Sequence, residues 1–193
     1  MNLTSFLIYC IVVTFTPGPS NIVILSSVQH AGARKTMHYV WGATVAFGML
    51  LAASAFLNHL LAGILPSLLH VMQIVGSLYM LYLAYQIYKM GSSKEAPKQA
   101  TGFMSGLIMQ FVNPKVILFT FTVIPSYVLP YYDTSLSTVL FVFLITLIGF
   151  LAFTSWVVFG SVFRKFLHDH QKAFSIVMAL FLVYSAIMVS GLI

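Results

Sequence analysis

The chain alternates between long apolar runs and short polar breaks. A helix crossing a bilayer needs about 20 mainly apolar residues. Six stretches reach that length, at 4–28, 38–60, 67–90, 102–128, 136–162 and 173–192. QHAGARK separates the first two, LLAGILPS the next pair, KMGSSKEAPKQ the third and fourth, LPYYDTS the fourth and fifth, and RKFLHDHQK the last two. Only the central linker is polar over any length, and no segment is set apart as a soluble unit. The pattern predicts an all-α membrane protein with six transmembrane helices in one domain spanning 1–193.

Composition agrees with the pattern. The chain is 60% hydrophobic and 6% charged, against about 25% charged in soluble domains. Its formal net charge of +6 is better read as orientation than as affinity for nucleic acid, since no basic patch interleaved with aromatics occurs. Arg34 and Lys35 lie in the first connection, Lys89, Lys94 and Lys98 in the third, and Arg164, Lys165 and Lys172 in the fifth. The second and fourth connections have no Lys or Arg. The positive-inside rule then makes the odd connections cytoplasmic and puts both termini outside. MNLTSFLIYC has no basic region before its apolar run, so it reads as a retained first span and not a signal peptide. Asn2-Leu3-Thr4 is a weak glycosylation match. Cys10 is the only cysteine, which excludes an internal disulfide and a cysteine metal pair.

Two features violate the apolar pattern inside the spans. The first is TFTPGPSN, which puts Pro17, Gly18 and Pro19 in the first span. A proline in a helix interior costs about 3 kcal/mol, because it removes a donor and clashes with the preceding turn. Pro17 and Pro19 free carbonyls one turn before them, and Gly18 makes an unwound conformation cheap. The second is Lys115, near the centre of GLIMQFVNPKVILFTFTVIP. A lysine there costs about 2.5–3.5 kcal/mol on insertion scales, and its default reading is functional.

The two features correspond. PSNIVIL, from Pro19, resembles PKVILF, from Pro114, and each lies near the middle of the first span of a three-span half. An odd number of spans per half gives opposite orientations. The sequence therefore predicts two inverted three-helix repeats, about 1–92 and 100–193, whose proline breaks meet at a midplane binding site. Helix N-termini after Pro19 and Pro114 would favour an anion such as a carboxylate, and Lys115 adds a full positive charge. Thr14, Thr16, Ser20, Asn21, Gln110 and Asn113 supply neutral hydrogen-bonding groups. The set suits a small solute bearing a carboxylate.

Other residues narrow the class. The acids, Glu95, Asp133 and Asp169, all lie in connections, which disfavours a metal pathway and a carboxylate proton relay. No cofactor is expected. The histidines sit near span ends, and His168-Asp169-His170 reads as a solvated loop. Trp41, Tyr88, Tyr131, Tyr132 and Trp156 read as interface anchors or packing. Gly102-x-x-x-Gly106 and Gly42 suit close helix approach, without specifying a dimer; a homodimer is left open.

TPGPSN, GARK, VGSLYMLYLAYQIYK and QFVNPKVILF together resemble the LysE/RhtB family of amino-acid exporters over essentially the whole chain. QFVNPKVILF, the VLP after the fourth span and MALFLVYSAIMV are most similar to its cysteine and O-acetylserine branch. The resemblance implies efflux of small neutral amino acids across the bacterial inner membrane by a non-enzymatic secondary transporter. It leaves open export of homoserine, threonine, leucine or a metal cation, and a non-transporting partner subunit. Many members carry Asp or Asn directly after TPGP, whereas here Ser20 precedes Asn21. Thr16, Ser20, Asn21, Asn113 and Lys115, with the breaks at Pro17, Gly18, Pro19 and Pro114 and with Gln110, form the expected binding set.

Overall fold

A computed structural model describes residues 3–90, 102–132 and 134–190. Among them there are helices and short connections but no strands. α1 (Leu3–Phe15) and α2 (Pro19–Ala31) are followed by α3 (Ala33–Phe56) and α4 (Asn58–Met90). α5 (Phe103–Val112) and α6 (Pro114–Val123) come next, and α6 runs on as a π-helical turn, Ile124–Val128. α7 (Ser135–Val162), α8 (Arg164–Asp169) and α9 (Gln171–Ser190) complete the chain. Asn2, Lys94, Glu95, Lys98 and Asp133 lie outside the described residues, as do the side chains of His59, His70, Arg164 and His168.

Among the described residues three helices are long and apolar enough to cross a membrane: Ala33–Phe56, Ser135–Val162 and Gln171–Met188. Among these residues there are up to five if each bent pair is one crossing: Leu3–Phe15 with Pro19–Ala31, bent by 48°, and Phe103–Val112 with Pro114–Val128, bent by 69°. Large apolar side chains such as Ile8, Leu78, Phe143, Leu151 and Leu180 are exposed. That arrangement is stable only where the surrounding solvent is lipid. The chain is a multi-pass helical membrane protein.

Two boundaries differ from expectation. The predicted break LLAGILPS lies within α4, a helix of 33 residues, and only Leu57 separates α3 from α4. A helix can carry a single proline through its interior at a cost of about 3 kcal/mol, and α4 runs on through Pro66. RKFLHDHQK is mostly helical as well, forming α8, with Asp169 and His170 exposed.

α3 packs on α5 and α7, while α4 packs chiefly on α9. The crossing of α3 and α5 is close because both lack side chains at the contact. A Cβ on Gly42 would lie 1.9 Å from the Phe103 carbonyl oxygen, and one on Gly106 would lie 2.0 Å from that of Tyr39. The expected pair within α5 is therefore replaced by a pair across helices, since Gly102 meets nothing beyond its own helix. Gly32, between α2 and α3, has φ +82°, a left-handed conformation that glycine adopts without strain.

The core divides in two. One cluster, including Ile24, Val28, Tyr39, Ile87, Met109 and Val157, lies towards the end where α2 meets α9. There His30 Nε2 and the Gln171 amide are 3.0 Å apart. Arg34, Lys35, Lys89 and Lys172 belong to helix ends at this side of the bundle. The other cluster, including Phe6, Phe47, Leu51, Phe119 and Ile145, fills the opposite end. Its rings interlock: Tyr9 stacks on Tyr127 at 5.1 Å, and Phe6 meets Phe141 edge-on at 5.5 Å. The two helix breaks lie between the clusters.

Candidate functional site at the two helix breaks

The breaks follow from backbone hydrogen bonding. An α-helix pairs each carbonyl with the N–H four residues on. Pro17 and Pro19 have no N–H, so the carbonyls of Val13 and Phe15 lose their helical donors. α1 stops at Phe15, and α2 restarts with Pro19 in its first position, where a proline's missing donor costs nothing. α5 and α6 repeat the arrangement about Pro114. Both half-helices thus begin at the prolines that the sequence singled out.

Three carbonyls at the first break, those of Thr14, Phe15 and Thr16, find donors outside their own helix. Trp156 donates its indole N–H to the Phe15 carbonyl at 3.2 Å. Asn21 donates its amide to the carbonyls of Thr14, at 3.2 Å, and Thr16, at 3.0 Å. Lys115 Nζ donates to the Thr16 carbonyl at 2.8 Å. Trp156, expected as an anchor or packing residue, therefore serves as a cap on the first break.

A second network ties the breaks together. Ser20 Oγ accepts from the Gln110 amide at 3.0 Å and from the Asn113 amide at 2.9 Å. Gln110, Asn113, Ser20 and Asn21 are all buried. Among the described residues Asn21 Oδ1 and Gln110 Oε1 have no hydrogen-bond partner, which leaves two acceptors available where polar groups are costly to leave unpaired.

The two helix starts are chemically different. Asn113 caps α6, its Oδ1 accepting from the Lys115 N–H at 3.1 Å. Gly18 precedes α2 and offers no side chain, so no side chain caps that N-terminus. Gly18 has φ −161°, an extended conformation open to any residue, so backbone freedom is not why a glycine stands there. The lysine is the reason: a Cβ on Gly18 would lie 3.1 Å from Lys115 Cδ and 3.3 Å from Nζ. Gly18 lets Lys115 lie across the first break.

A cavity of about 30 Å³ opens at this point, room for about two waters. Thr14, Gly18, Ser20, Asn21, Asn113 and Lys115 provide its polar wall, and Phe47, Phe119 and Phe153 its apolar wall. Among the ten expected site residues, Gly18, Ser20, Asn21, Asn113 and Lys115 line it. Gln110 supports it through Ser20, and Pro19 and Pro114 start the half-helices. Thr16 contributes its carbonyl; its hydroxyl donates back to the carbonyl of Val12 in its own helix. Pro17 is exposed and acts only by withholding a donor. The phenylalanines escaped notice because nothing in their spacing separates a cavity wall from packing. Gly76 of α4 also escaped: a Cβ there would lie 3.0 Å from Pro114 Cδ and 3.1 Å from the Val112 carbonyl oxygen. Among the described residues no group of His, Cys, Asp and Glu could hold a metal ion.

The geometry sorts cleanly by charge. An uncapped helix N-terminus and an ammonium group attract an anion, while freed carbonyls and Asn21 Oδ1 accept from a cation. Comparison with known proteins places the chain among relatives. The chain is 32% identical over 189 residues to a cysteine/O-acetylserine efflux protein of Salmonella choleraesuis (strain SC-B67), covering 97% of this chain and 96% of that one. It is 32% identical over 188 residues to the protein of that name in Escherichia coli (strain K12), covering 96% and 95%. No solved structure matches it. The LysE type translocator family matches residues 11–190. With nearly its whole length accounted for in this way, the chain belongs to the LysE type translocator family, a family of transporters and not of enzymes.

Proposed function

We propose that the protein is a secondary exporter of small neutral amino acids across the bacterial inner membrane, working by alternating access. The observation that carries this reading is the uncapped N-terminus of α2 facing Lys115 across the cavity. An amino acid's carboxylate binds between the first N–H groups of α2 and the Lys115 ammonium. Its own ammonium takes the Thr16 carbonyl and Asn21 Oδ1. The side chain meets Phe47, Phe119 and Phe153, which suits a thiol or an acetyl ester, as in the substrates for which the relatives are named.

Lys115 has two stations in this scheme. In the empty carrier it neutralises the Thr16 carbonyl. The arriving carboxylate draws it away, and the substrate's ammonium replaces it there. A cavity sized for water must enlarge for an amino acid, so binding is coupled to movement of the half-helices. The reading places six crossings in two inverted halves, 1–92 and 100–193, with α4 as one of them and both termini outside. The packing of α3 on α7 and of α4 on α9 supports it, because each pair joins the corresponding helices of the two halves.

Homoserine, threonine or leucine is the second reading, favoured by the apolar wall, which accepts an aliphatic side chain equally well. The test is efflux of a panel of radiolabelled amino acids from loaded cells, with and without the gene. Gene-dependent efflux of cysteine or O-acetylserine is expected. Efflux of none of the panel refutes the exporter reading.

A further inference from the structure

A second and much larger cavity lies between α2, α3, α4 and α5, on the basic side of the breaks. We propose that it is a loading site, holding the amino acid before it reaches the broken helices. This rests on the exporter reading above. The cavity measures about 320 Å³, against about 30 Å³ at the breaks. It is large enough to admit an amino acid, which the cavity at the breaks is not.

Its polar lining is Tyr39, Tyr79, Tyr82, Gln86 and Ser105. None of these carries a formal charge, so the site holds a zwitterion without trapping it. Tyrosine faces attract an ammonium group, while the hydroxyls and the Gln86 amide donate to a carboxylate. Tyr39 is 1% exposed, and its hydroxyl is turned to Ser20 of the network at the breaks. A phenol both donates and accepts, so it keeps hydrogen-bonding capacity for a polar occupant, which a lipid tail cannot use.

Position supplies the second argument. Gln86 lies one turn from Lys89, and Tyr39 lies two turns or less from Arg34 and Lys35. These cations attract a carboxylate to the mouth. At the inner side, Val23 and Met109 line the cavity, and each stands within a turn of the network of Ser20 and Gln110. The path from the basic end to Lys115 therefore runs past Tyr39.

The experiment uses the full chain in inside-out membrane vesicles, with Cys10→Ala and Ser105→Cys and a membrane-impermeant maleimide. O-acetylserine is the probe, because it carries no thiol. Its transport is read in the same vesicles. The introduced thiol should be labelled, and O-acetylserine should slow labelling at least tenfold. That protection should persist when Lys115→Ala abolishes transport, and should weaken when Tyr39→Phe removes the hydroxyl. Labelling at one rate with and without O-acetylserine, in a chain that still transports it, overturns the loading site alone. So does protection that disappears with Lys115→Ala, which would place the ligand at the breaks. A thiol never labelled means that lipid fills the cavity, and overturns it too. An unmodified chain that does not move O-acetylserine fails as its exporter, and the loading site falls with it.

Discussion

The ammonium group of Lys115 sits 2.8 Å from the carbonyl oxygen of Thr16, ninety-nine residues away in sequence. Each group would be costly alone in a membrane interior: the lysine for its charge, the carbonyl for its lost helical partner. Pairing them across the two breaks satisfies the carbonyl and offsets part of the cost of the charge.

Replacing Lys115 by methionine should therefore abolish efflux while leaving the protein in the membrane at normal levels, measured by immunoblot of isolated membranes alongside transport. The variant should also bind a simple primary amine more tightly than the unmodified protein does, because the competitor for the Thr16 carbonyl is gone. Equal or weaker amine binding would show that Lys115 and the ligand do not share that carbonyl.

Gly18 separates conformational demand from space. Its extended backbone tolerates alanine, so Gly18→Ala should leave thermal stability in detergent nearly unchanged. The added Cβ presses on Lys115 Cδ and Nζ, so transport should fall severalfold, and Gly18→Leu should stop it. Comparable losses of melting temperature and transport would instead point to a backbone role.

Ser20→Ala removes the acceptor shared by Gln110 and Asn113. Two buried amides then lose a partner, at about 1–3 kcal/mol each. The expected result is a marked drop in melting temperature together with loss of transport, the breaks being no longer joined. A stable, fully active variant would remove Ser20 from the site.

The crossing of α3 and α5 gives a purely structural prediction. Gly42→Ala and Gly106→Ala each drive a methyl group into a carbonyl oxygen about 2 Å away. Overpacking typically costs about 1–3 kcal/mol, and a clash with rigid backbone belongs at the top of that range. Both variants should accumulate poorly in the membrane, whereas Gly102→Ala, with nothing near it beyond its own helix, should be tolerated.

The breaks were legible because proline's missing donor acts locally: Pro19 and Pro114 start half-helices wherever those helices pack. Lys115 was legible because a charge inside a span needs a reason. What the sequence hid was pairing at a distance. Trp156 looks like any aromatic in a span until its indole N–H is seen beside the Phe15 carbonyl. Gly18 suggested backbone freedom, and only the path of the Lys115 side chain shows that it makes room. LLAGILPS looked like a connection because it holds a glycine and a proline, but α4 continues through it. Similarly, Phe47, Phe119 and Phe153 carry no local mark, because a wall and a core use the same residues.

The unequal caps have a consequence for the unit that can carry the site. Asn113 closes one half-helix and hands over a movable cation, while Gly18 leaves the other open to an anion. Two copies of the first half would face each other with two bare helix ends and nothing to balance the charge they attract. Two copies of the second would bring two lysines together between closed ends. On the proposed reading the two breaks are not interchangeable: the site takes one of each, and a single chain carrying both guarantees that stoichiometry in every molecule.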